Sequence, residues 1–359
     1  MPSSARHGLV RSVLAESSDR SETVKAVLPA GLGKIEVTDI EEVEPAAHEL
    51  VIEVGAYSVN RGETFQLELP RDGWRPGKDI AGRVLRAAAD GSGPPIGARV
   101  VAHLPHSGWA ERAVARVEQV AVLPDSVSIE QAAALPLAGL TALRLMRTAG
   151  SVLGRRILLT GASGGVGHYF TELAAAAGAS ITSVVSSPAR GERLLELGAE
   201  TLVHDVADAR GPFDLVLESV GGTSLPIALS KVRPGGTLIW FGQASRQAPR
   251  IDFFDFFAGP DSAQIQHFHY DSEPADGPDL ATLVRLVDTG RLHPELGRID
   301  DWSATTEVLE DLRDRRIRGN AVLSIRKETA PVSSTDPRTV VTHSVEARPD
   351  RRGPRVPRH

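Results

Sequence analysis

The stretch Arg156-Ile157-Leu158-Leu159-Thr160-Gly161-Ala162-Ser163-Gly164-Gly165-Val166-Gly167 decides the fold. Its apolar beginning predicts a buried strand, and the Ala- and Leu-rich residues that follow predict a helix from Val166 to Ala177. A turn without bulky side chains lets the main chain approach a pyrophosphate, whose charge is then held by N–H groups and the helix dipole. The residues Ala162 to Gly167 therefore predict a dinucleotide-binding loop, with a glycine-rich turn that binds nothing as the alternative.

Strands and helices alternate after this loop. Strands are predicted at residues 180–185, 202–203, 213–218 and 237–241, and the helices between them at 189–197 and 225–232. This alternation is typical of an α/β fold with a doubly wound parallel sheet, the Rossmann type.

The end of the second strand of this unit indicates which dinucleotide binds. NAD sites usually have Asp or Glu there, about 20 residues after the glycine motif, to accept the ribose 2′-hydroxyl. Here the strand runs into Ser186, Ser187 and Arg190, so two hydroxyls and a guanidinium stand where a 2′-phosphate would lie. We expect NADPH rather than NADH, the alternative being that Arg190 begins a solvated helix face.

The rest of the chain predicts a second, β-rich domain. The chain has 359 residues, more than the roughly 250–300 at which a single hydrophobic core stops growing. Short strands cut by Gly and Pro precede residue 124, one long helix is predicted from Ser128 to Ala149, and helices at 280–289 and 302–315 precede a last strand at 321–325. The predicted parts are a flexible extension at 1–22, the catalytic domain at 23–127, the Rossmann domain at 128–270, a return to the catalytic domain at 271–326 and a disordered tail at 327–359.

Composition excludes several classes of function. The formal net charge of −6 gives no general attraction to nucleic acid or to an anionic membrane. There is no Cys, which removes disulfides, thiolate nucleophiles and Cys-ligated zinc. Polar residues follow Arg6 and Arg11 where a secretory signal would be apolar, so we expect a cytoplasmic protein without membrane or nucleic-acid partners.

The order and spacing of the motifs resemble the medium-chain dehydrogenase/reductase superfamily, specifically its zinc-free quinone oxidoreductase-like branch. Besides the glycine loop, the segments that carry the resemblance are Ala56–Asn60, Pro76–Gly82, Gly97–Val100, Gly108–Glu111, Leu135–Ala142, Glu218–Gly222, Phe241–Gly242 and Arg318–Leu323. The resemblance implies a GroES-like catalytic domain beside the Rossmann domain, with the active site in the cleft between them. It also implies hydride transfer from NADPH to a small-molecule substrate, and a homodimer made by the Rossmann sheets.

The resemblance assigns further residues to the cofactor. It implies that Thr141 and Gly242 lie near the nicotinamide, and that Ser219 and Val220 lie on the adenosine side. Asn320 replaces the Lys that is usual in the last motif, so an electrostatic contact with the cofactor from this position is weakened.

The resemblance also bears on catalysis. Zinc-dependent relatives place ligands in the regions of Asn60 and of Lys78-Asp79, but with Cys absent no metal is expected here. Charge that builds on a substrate carbonyl must then be met by hydrogen-bond donors or a cation. Asn60 and Lys78 are the candidates, a solvated surface lysine being the alternative for Lys78. A Tyr that some relatives carry is Phe65 here.

Three further patterns leave alternatives open. His103 and His106 are suited to relaying a proton, or else have surface or capping roles. The Phe-rich run 251–257 is interpreted as a pocket roof, a dimer interface or a core helix, and 264–270 as a strand with His267 and His269 on one face. For function, the alternatives to a quinone or enone reductase are a pathway-specific enzyme that uses the same cleft and a non-catalytic nucleotide-binding protein.

Overall fold

The first part of the chain forms antiparallel strands. The computed structural model describes residues 23–270 and 275–325, so the predicted extension at 1–22 and the predicted tail at 327–359 lie outside the described residues. The strands are β1 (Thr23–Gly31), β2 (Lys34–Glu41), β3 (Glu49–Val59), β4 (Asp79–Arg86), β5 (Arg99–His103), β6 (Arg112–Arg116) and β7 (Val120–Val122), with the short helix α1 (Arg61–Gln66) after β3. No specific sequence-based prediction covered β2, β6 and β7.

The helix predicted from Ser128 to Ala149 is two helices. Helix α2 (Ile129–Ala133) begins as predicted, because the Ser128 hydroxyl caps it by accepting a hydrogen bond from Gln131 N at 3.1 Å. Helix α3 (Pro136–Ala149) starts anew at Pro136. The prediction of one helix is wrong because proline lacks an N–H and fits only in the first turn of a helix.

The middle of the chain forms the predicted parallel sheet. Its elements in chain order are β8 (Arg156–Leu159), α4 (Gly165–Ala176), β9 (Ser180–Val184), α5 (Pro188–Glu196), β10 (Thr201–Val203), β11 (Phe213–Glu218), α6 (Ser224–Ser230), β12 (Val232–Trp240) and β13 (Gln264–His267). The spatial order is β10-β9-β8-β11-β12-β13, and all neighbours are parallel. The α/β fold class predicted from the sequence is confirmed.

Both faces of this sheet are buried, which explains the unbroken apolar runs of its strands. In β8, Ile157 and Leu159 belong to the large core shared with α2, α3 and α4. Leu158, between them, faces the opposite core with Phe213 and Val216.

The chain then returns to the antiparallel strands. The last elements are α7 (Gly277–Asp288), β14 (Leu296–Asp301), α8 (Thr305–Arg313) and β15 (Asn320–Ser324). Strand β15 pairs antiparallel with β3, which gives a sheet of order β14-β15-β3-β4-β5-β7 with β6 also on β3. A bridge between Gly164 and Gly319 links the start of β15 to the glycine loop, so this last strand touches the dinucleotide-type turn.

No helix within residues 23–270 and 275–325 combines the length and the apolar character needed to cross a bilayer.

Candidate active site

The carboxyl ends of the parallel strands gather most of the predicted cofactor residues at one edge. Ser219 follows β11, and its hydroxyl donates to Thr160 O at 3.0 Å at the end of β8. The neighbouring Val220 N–H donates to the buried Glu218 carboxylate at 3.1 Å. Gly242 follows β12, and a Cβ on it would lie 3.0 Å from Ser219 O. The structure therefore brings Ser219, Val220 and Gly242 together, where open α/β sheets bind ligands.

The glycine loop has the geometry that a pyrophosphate requires. Gly164 is the N-cap of α4 and makes no side-chain cap hydrogen bond, so the first N–H groups of that helix, at its positive dipole end, have no partner from the N-cap side chain. A Cβ on Gly164 would have only Gly161 O within 4 Å, whereas a Cβ on Gly167 would overlap the Ala162 carbonyl. Gly167 lets α4 pack closely on β8, and the face at Gly164 stays accessible.

The glycine loop is also held by residues at the start of β15. Ser163 O accepts from Gly319 N at 3.0 Å. The side chain of Asn320 stands over Gly165 and donates to Glu295 O at 3.2 Å. Asn320 therefore lies beside the glycine loop, with a neutral side chain.

Arg190 lies where the sequence placed it, and its side chain is bound rather than solvated. Its Nε donates to Ser163 Oγ at 3.2 Å, and its two terminal nitrogens donate to Arg315 O at 2.6 Å and Ile317 O at 2.8 Å. Ser187 is the N-cap of α5 without a side-chain cap bond, and Ser186 is exposed. The guanidinium thus sits beside the glycine loop at the end of β9.

Two more arginines, which the sequence did not single out, join Arg190. Burial and the charge of Arg315 lower the pKa of Arg61, and burial together with Arg318 and Arg315 lowers the pKa of Arg190. Among the residues that the structure describes, none of Arg61, Arg190 and Arg315 forms an ion pair with a carboxylate, and Arg61 Nε is buried without a hydrogen-bond partner. Uncompensated cations that face each other favour an anion between them.

The other half of the site is built around a buried carboxylate, Asp79, at the start of β4. It accepts hydrogen bonds from Ser58 Oγ at 2.8 Å, Asn60 Nδ2 at 2.7 Å and Leu137 N at 3.0 Å. Burial raises the pKa of Asp79, while His103 and these donors oppose the rise. The bonds fix the Asn60 amide and tie it to the first turn of α3.

A second buried carboxylate, Glu63, supports the same loop. It accepts from the main-chain N–H groups of Asn60 and Gly77 at 2.9 Å and of Lys78 at 3.2 Å. Burial and the nearby Asp79 raise the pKa of Glu63 to about 7. Glu63 thus positions both predicted catalytic residues through their backbone, a role that only the capping-box spacing after Asn60 signals in the sequence.

Lys78 is half-buried and hydrogen-bonded, so it is not the solvated surface lysine of the alternative interpretation. Its Nζ lies 2.6 Å from the hydroxyl oxygen of Tyr270, which follows β13. Burial by itself lowers the pKa of Lys78, but the bond to Tyr270 and two nearby carboxylates outweigh it and keep the pKa above its usual value. Thr141 is buried on α3, where its hydroxyl donates to Leu137 O at 2.7 Å.

Several expectations outside this cluster need correction. Phe253, Phe254 and Phe257 are 71%, 73% and 69% exposed in a 3₁₀ helix, so the core-helix interpretation of the Phe-rich run is wrong. The predicted strand 264–270 ends at His267, and His269 lies beyond it. His103 is not at the surface: it is buried, with Nδ1 2.8 Å from Asp276 Oδ2.

Metal-ligating side chains do not gather in the part of the chain that the structure describes. In 23–270 and 275–325, no group of three or more His, Asp or Glu is arranged to hold a metal ion.

Residues 165–285 match the family described as zinc-binding dehydrogenase. A quinone oxidoreductase of Pseudomonas aeruginosa is 31% identical over 314 residues, which cover 80% of this chain and 95% of that protein. The chain belongs to the medium-chain dehydrogenase/reductase superfamily, in its quinone oxidoreductase-like branch.

The chain is also similar, at lower identity, to other proteins. The human mitochondrial NAD(P)H oxidoreductase RTN4IP1 is 27% identical over 293 residues, covering 74% of this chain and 72% of that protein. A mycobacterial protein whose structure was solved as a complex with NADPH has a TM-score of 0.77 at 24% identity, over 84% of this chain and all of that one. The family predicted from the motifs is confirmed, and with it the assignment of the chain as an oxidoreductase.

Proposed function

We propose that this oxidoreductase uses NADPH, without zinc, to transfer hydride to a quinone or to a C=C bond conjugated with a carbonyl group. The observation that carries the proposal is the contact between Arg190 and Ser163 at the mouth of the glycine loop. No carboxylate ends β9, and a guanidinium stands beside the loop in its place, which favours a 2′-phosphate over a 2′-hydroxyl.

The residues present fit the dinucleotide. The N-terminus of α4 and the accessible face at Gly164 suit the pyrophosphate, and Arg190, which contacts Ser163 and has the charge of Arg315 close to it, suits the additional phosphate of NADPH. Gly242 and Ser219 form the neighbouring edge, where the resemblance puts the rest of the cofactor. When bound, the reduced nicotinamide supplies the hydride.

The substrate side offers hydrogen-bond donors. One N–H of the Asn60 amide is held by Asp79, which leaves the second N–H of that amide to donate to a substrate oxygen. A fixed donor and a nearby ammonium stabilise the charge that hydride addition places on a carbonyl oxygen. Both quinones and enones need this stabilisation.

Zinc independence is supported by the hydrogen bonds of Asp79 and by the charge of Lys78, which lie in the region where zinc-dependent relatives place ligands. Both oxygens of Asp79 already accept hydrogen bonds from side-chain or main-chain donors, and Lys78 is kept in its cationic form. A cation beside an internally satisfied carboxylate repels a divalent metal. We expect chelator treatment followed by gel filtration to leave turnover unchanged, and a loss restored by Zn²⁺ would contradict this part of the proposal.

The test of the main proposal is steady-state oxidation of NADPH by the purified chain. Matched quinones, enones and enoyl thioesters serve as acceptors, and the best acceptor is repeated with NADH. We expect turnover of one acceptor class with a strong preference for NADPH. Tight NADPH binding without reduction of any acceptor would instead support a pathway-specific substrate or a non-catalytic binding role.

We also propose a homodimer formed through β13. This strand is the last of the parallel sheet, and all four of its residues are exposed. In the 3₁₀ helix that precedes it in the chain, the exposed phenylalanines Phe253, Phe254 and Phe257 pack on one another. An edge strand beside an apolar patch pairs readily with a second copy. Light scattering should give twice the chain mass for the wild type and a single chain mass for Phe254→Asp. A monomeric wild type, or a variant that keeps the wild-type dimer mass, would refute this interface.

The cytoplasmic location and the domain limits at residues 23–127, 128–270 and 271–326 stay predictions. Fractionation of the source cells and limited proteolysis, with cuts expected near those limits, test them separately.

A further inference from the structure

A contact that links the two halves of the molecule lies beside the proposed substrate site. Lys78 precedes β4 in the antiparallel sheet, and Tyr270 follows β13 in the parallel sheet, 192 residues later. Lys78 is next to Asp79, which holds Asn60. Tyr270 follows the carboxyl end of its strand, on the same edge as Gly242 and Ser219, because all strands of that sheet are parallel.

The position of Tyr270 is fixed by buried groups. Its carbonyl oxygen accepts from Arg144 Nη1 at 2.6 Å, and Arg144 is itself buried between Asp276 and Asp279 at 2.8 and 3.0 Å. The ring of Tyr270 meets His103 edge-on, with 5.7 Å between ring centroids. A ring held in this way keeps its hydroxyl at one place in the cleft.

The Tyr270 hydroxyl accepts a hydrogen bond from Lys78 and keeps its own proton for donation. An ammonium group has donors and no acceptor, so in the 2.6 Å contact Lys78 donates and the Tyr270 oxygen accepts. The phenolic O–H is therefore directed elsewhere than at Lys78. A positive charge at this distance also stabilises the phenolate that remains after the proton has left.

We infer that Tyr270 is the catalytic proton donor of the reductase and that Lys78 acts through it, as a positioning residue, rather than on the substrate oxygen directly. The inference rests on the proposed function and adds the group that protonates the product. Phe65, at the place where some relatives carry a tyrosine, has no proton to give, and Tyr270, which follows β13 of the parallel sheet, supplies one instead.

Hydride addition to the substrate moves the π electrons of the conjugated system onto its oxygen, and the reduced nicotinamide is the electron donor. The Tyr270 O–H bond then breaks, its proton bonds to the substrate oxygen, and the electron pair stays on the phenolate beside the Lys78 ammonium. Water returns a proton to the phenolate after product release, so the net reaction consumes one hydride and one proton.

The first test compares Tyr270→Phe with Tyr57→Phe, which removes a buried hydroxyl that is bonded to Thr305 on α8 at 2.6 Å. General acids contribute about 10²- to 10⁴-fold. We therefore expect the kcat of Tyr270→Phe with an enone or quinone to fall about a hundredfold with unchanged NADPH affinity, while Tyr57→Phe keeps its kcat. Melting curves confirm that both variants are folded.

A nitroalkene acceptor separates proton donation from hydride transfer. Its reduction yields a nitronate, which is stable without a proton, so Tyr270→Phe should reduce the nitroalkene at nearly the wild-type rate. With enones and quinones, Lys78→Met should lose activity as Tyr270→Phe does, and Lys78→Arg should retain part of the wild-type rate. The double variant Lys78→Met/Tyr270→Phe should lose no more activity than either single variant, because the two residues act as a unit.

The outcomes distinguish this inference from the proposed function. If the wild type reduces none of the acceptors, the proposed function fails. If the wild type is active and Tyr270→Phe keeps its kcat with enones, or loses the nitroalkene activity equally, Tyr270 is not the proton donor.

Discussion

Removing the Arg190 guanidinium should reduce the preference for NADPH over NADH by about a hundredfold. A guanidinium carries five N–H donors, and three of them are used by Ser163, Arg315 O and Ile317 O. Two remain for a 2′-phosphate. Hydrogen bonds to a charged group contribute roughly 1.5–3 kcal/mol each, and at this half-exposed site the lower value gives about 3 kcal/mol, or about two powers of ten in preference.

The assay is the ratio of kcat/KM for NADPH to kcat/KM for NADH in the wild type and in Arg190→Met. The ratio matters because Arg190 also anchors the main chain at residues 315 and 317, and loosening that segment weakens both cofactors alike. Arg193→Met is the matched control on the same helix, since Arg193 is already neutralised by Glu196 at 2.6 Å and Glu295 at 3.4 Å. A ratio within threefold of wild type for Arg190→Met, or an equal fall for Arg193→Met, would refute the assignment.

The remaining predictions concern stability and the glycine loop. Arg144→Met leaves two buried carboxylates short of a partner and should lower the free energy of unfolding by about 3 kcal/mol in urea titrations; a loss below about 1 kcal/mol would contradict it. Gly167→Ala forces a methyl group onto the Ala162 carbonyl. It should weaken NADPH binding about tenfold or more and destabilise the fold by about 1–3 kcal/mol. The control Gly62→Ala, whose new methyl group would have no heavy atom within 4 Å, should do neither. The raised pKa of Glu63, about 7 against 4.5 in the unfolded chain, means that its stabilising effect is complete below pH 4.5 and is lost as the pH rises through 7. The stability of the wild type relative to Glu63→Gln should therefore fall by about 3 kcal/mol over that range, and a difference that does not change with pH would show that Glu63 does not titrate there.

Local pattern was enough for the elements that carry the cofactor. The strand, glycine turn and helix from Arg156 onward are specified by neighbouring residues: an apolar run, residues without bulk, then helix formers. Arg190 could be placed for the same reason, because the end of β9 lies a fixed number of residues after the loop. Such predictions need only the hydrophobic periodicity of the sequence and the rule that the strands of this sheet run parallel.

Sequence reasoning failed where a single residue or a surface decided the outcome. Pro136 divides the predicted helix, although the apolar pattern continues across it, because the proline ring has no N–H to give to the preceding turn. The Phe-rich run is apolar enough for a core, yet three of its rings are exposed.

By itself, the sequence determined the fold class, the family, the glycine loop and the position of Arg190. Each of these follows from local patterns and motif spacing, which do not require knowing which distant segments pack together. Only the tertiary structure decided the chemistry of the cleft. Asp79 meets Leu137 across 58 residues and Lys78 meets Tyr270 across 192, and neither pair leaves a periodic trace in the sequence. The physical reason is that these contacts arise when two separately specified sheets pack together, which gives one lysine and one tyrosine a shared hydrogen bond that neither segment encodes alone.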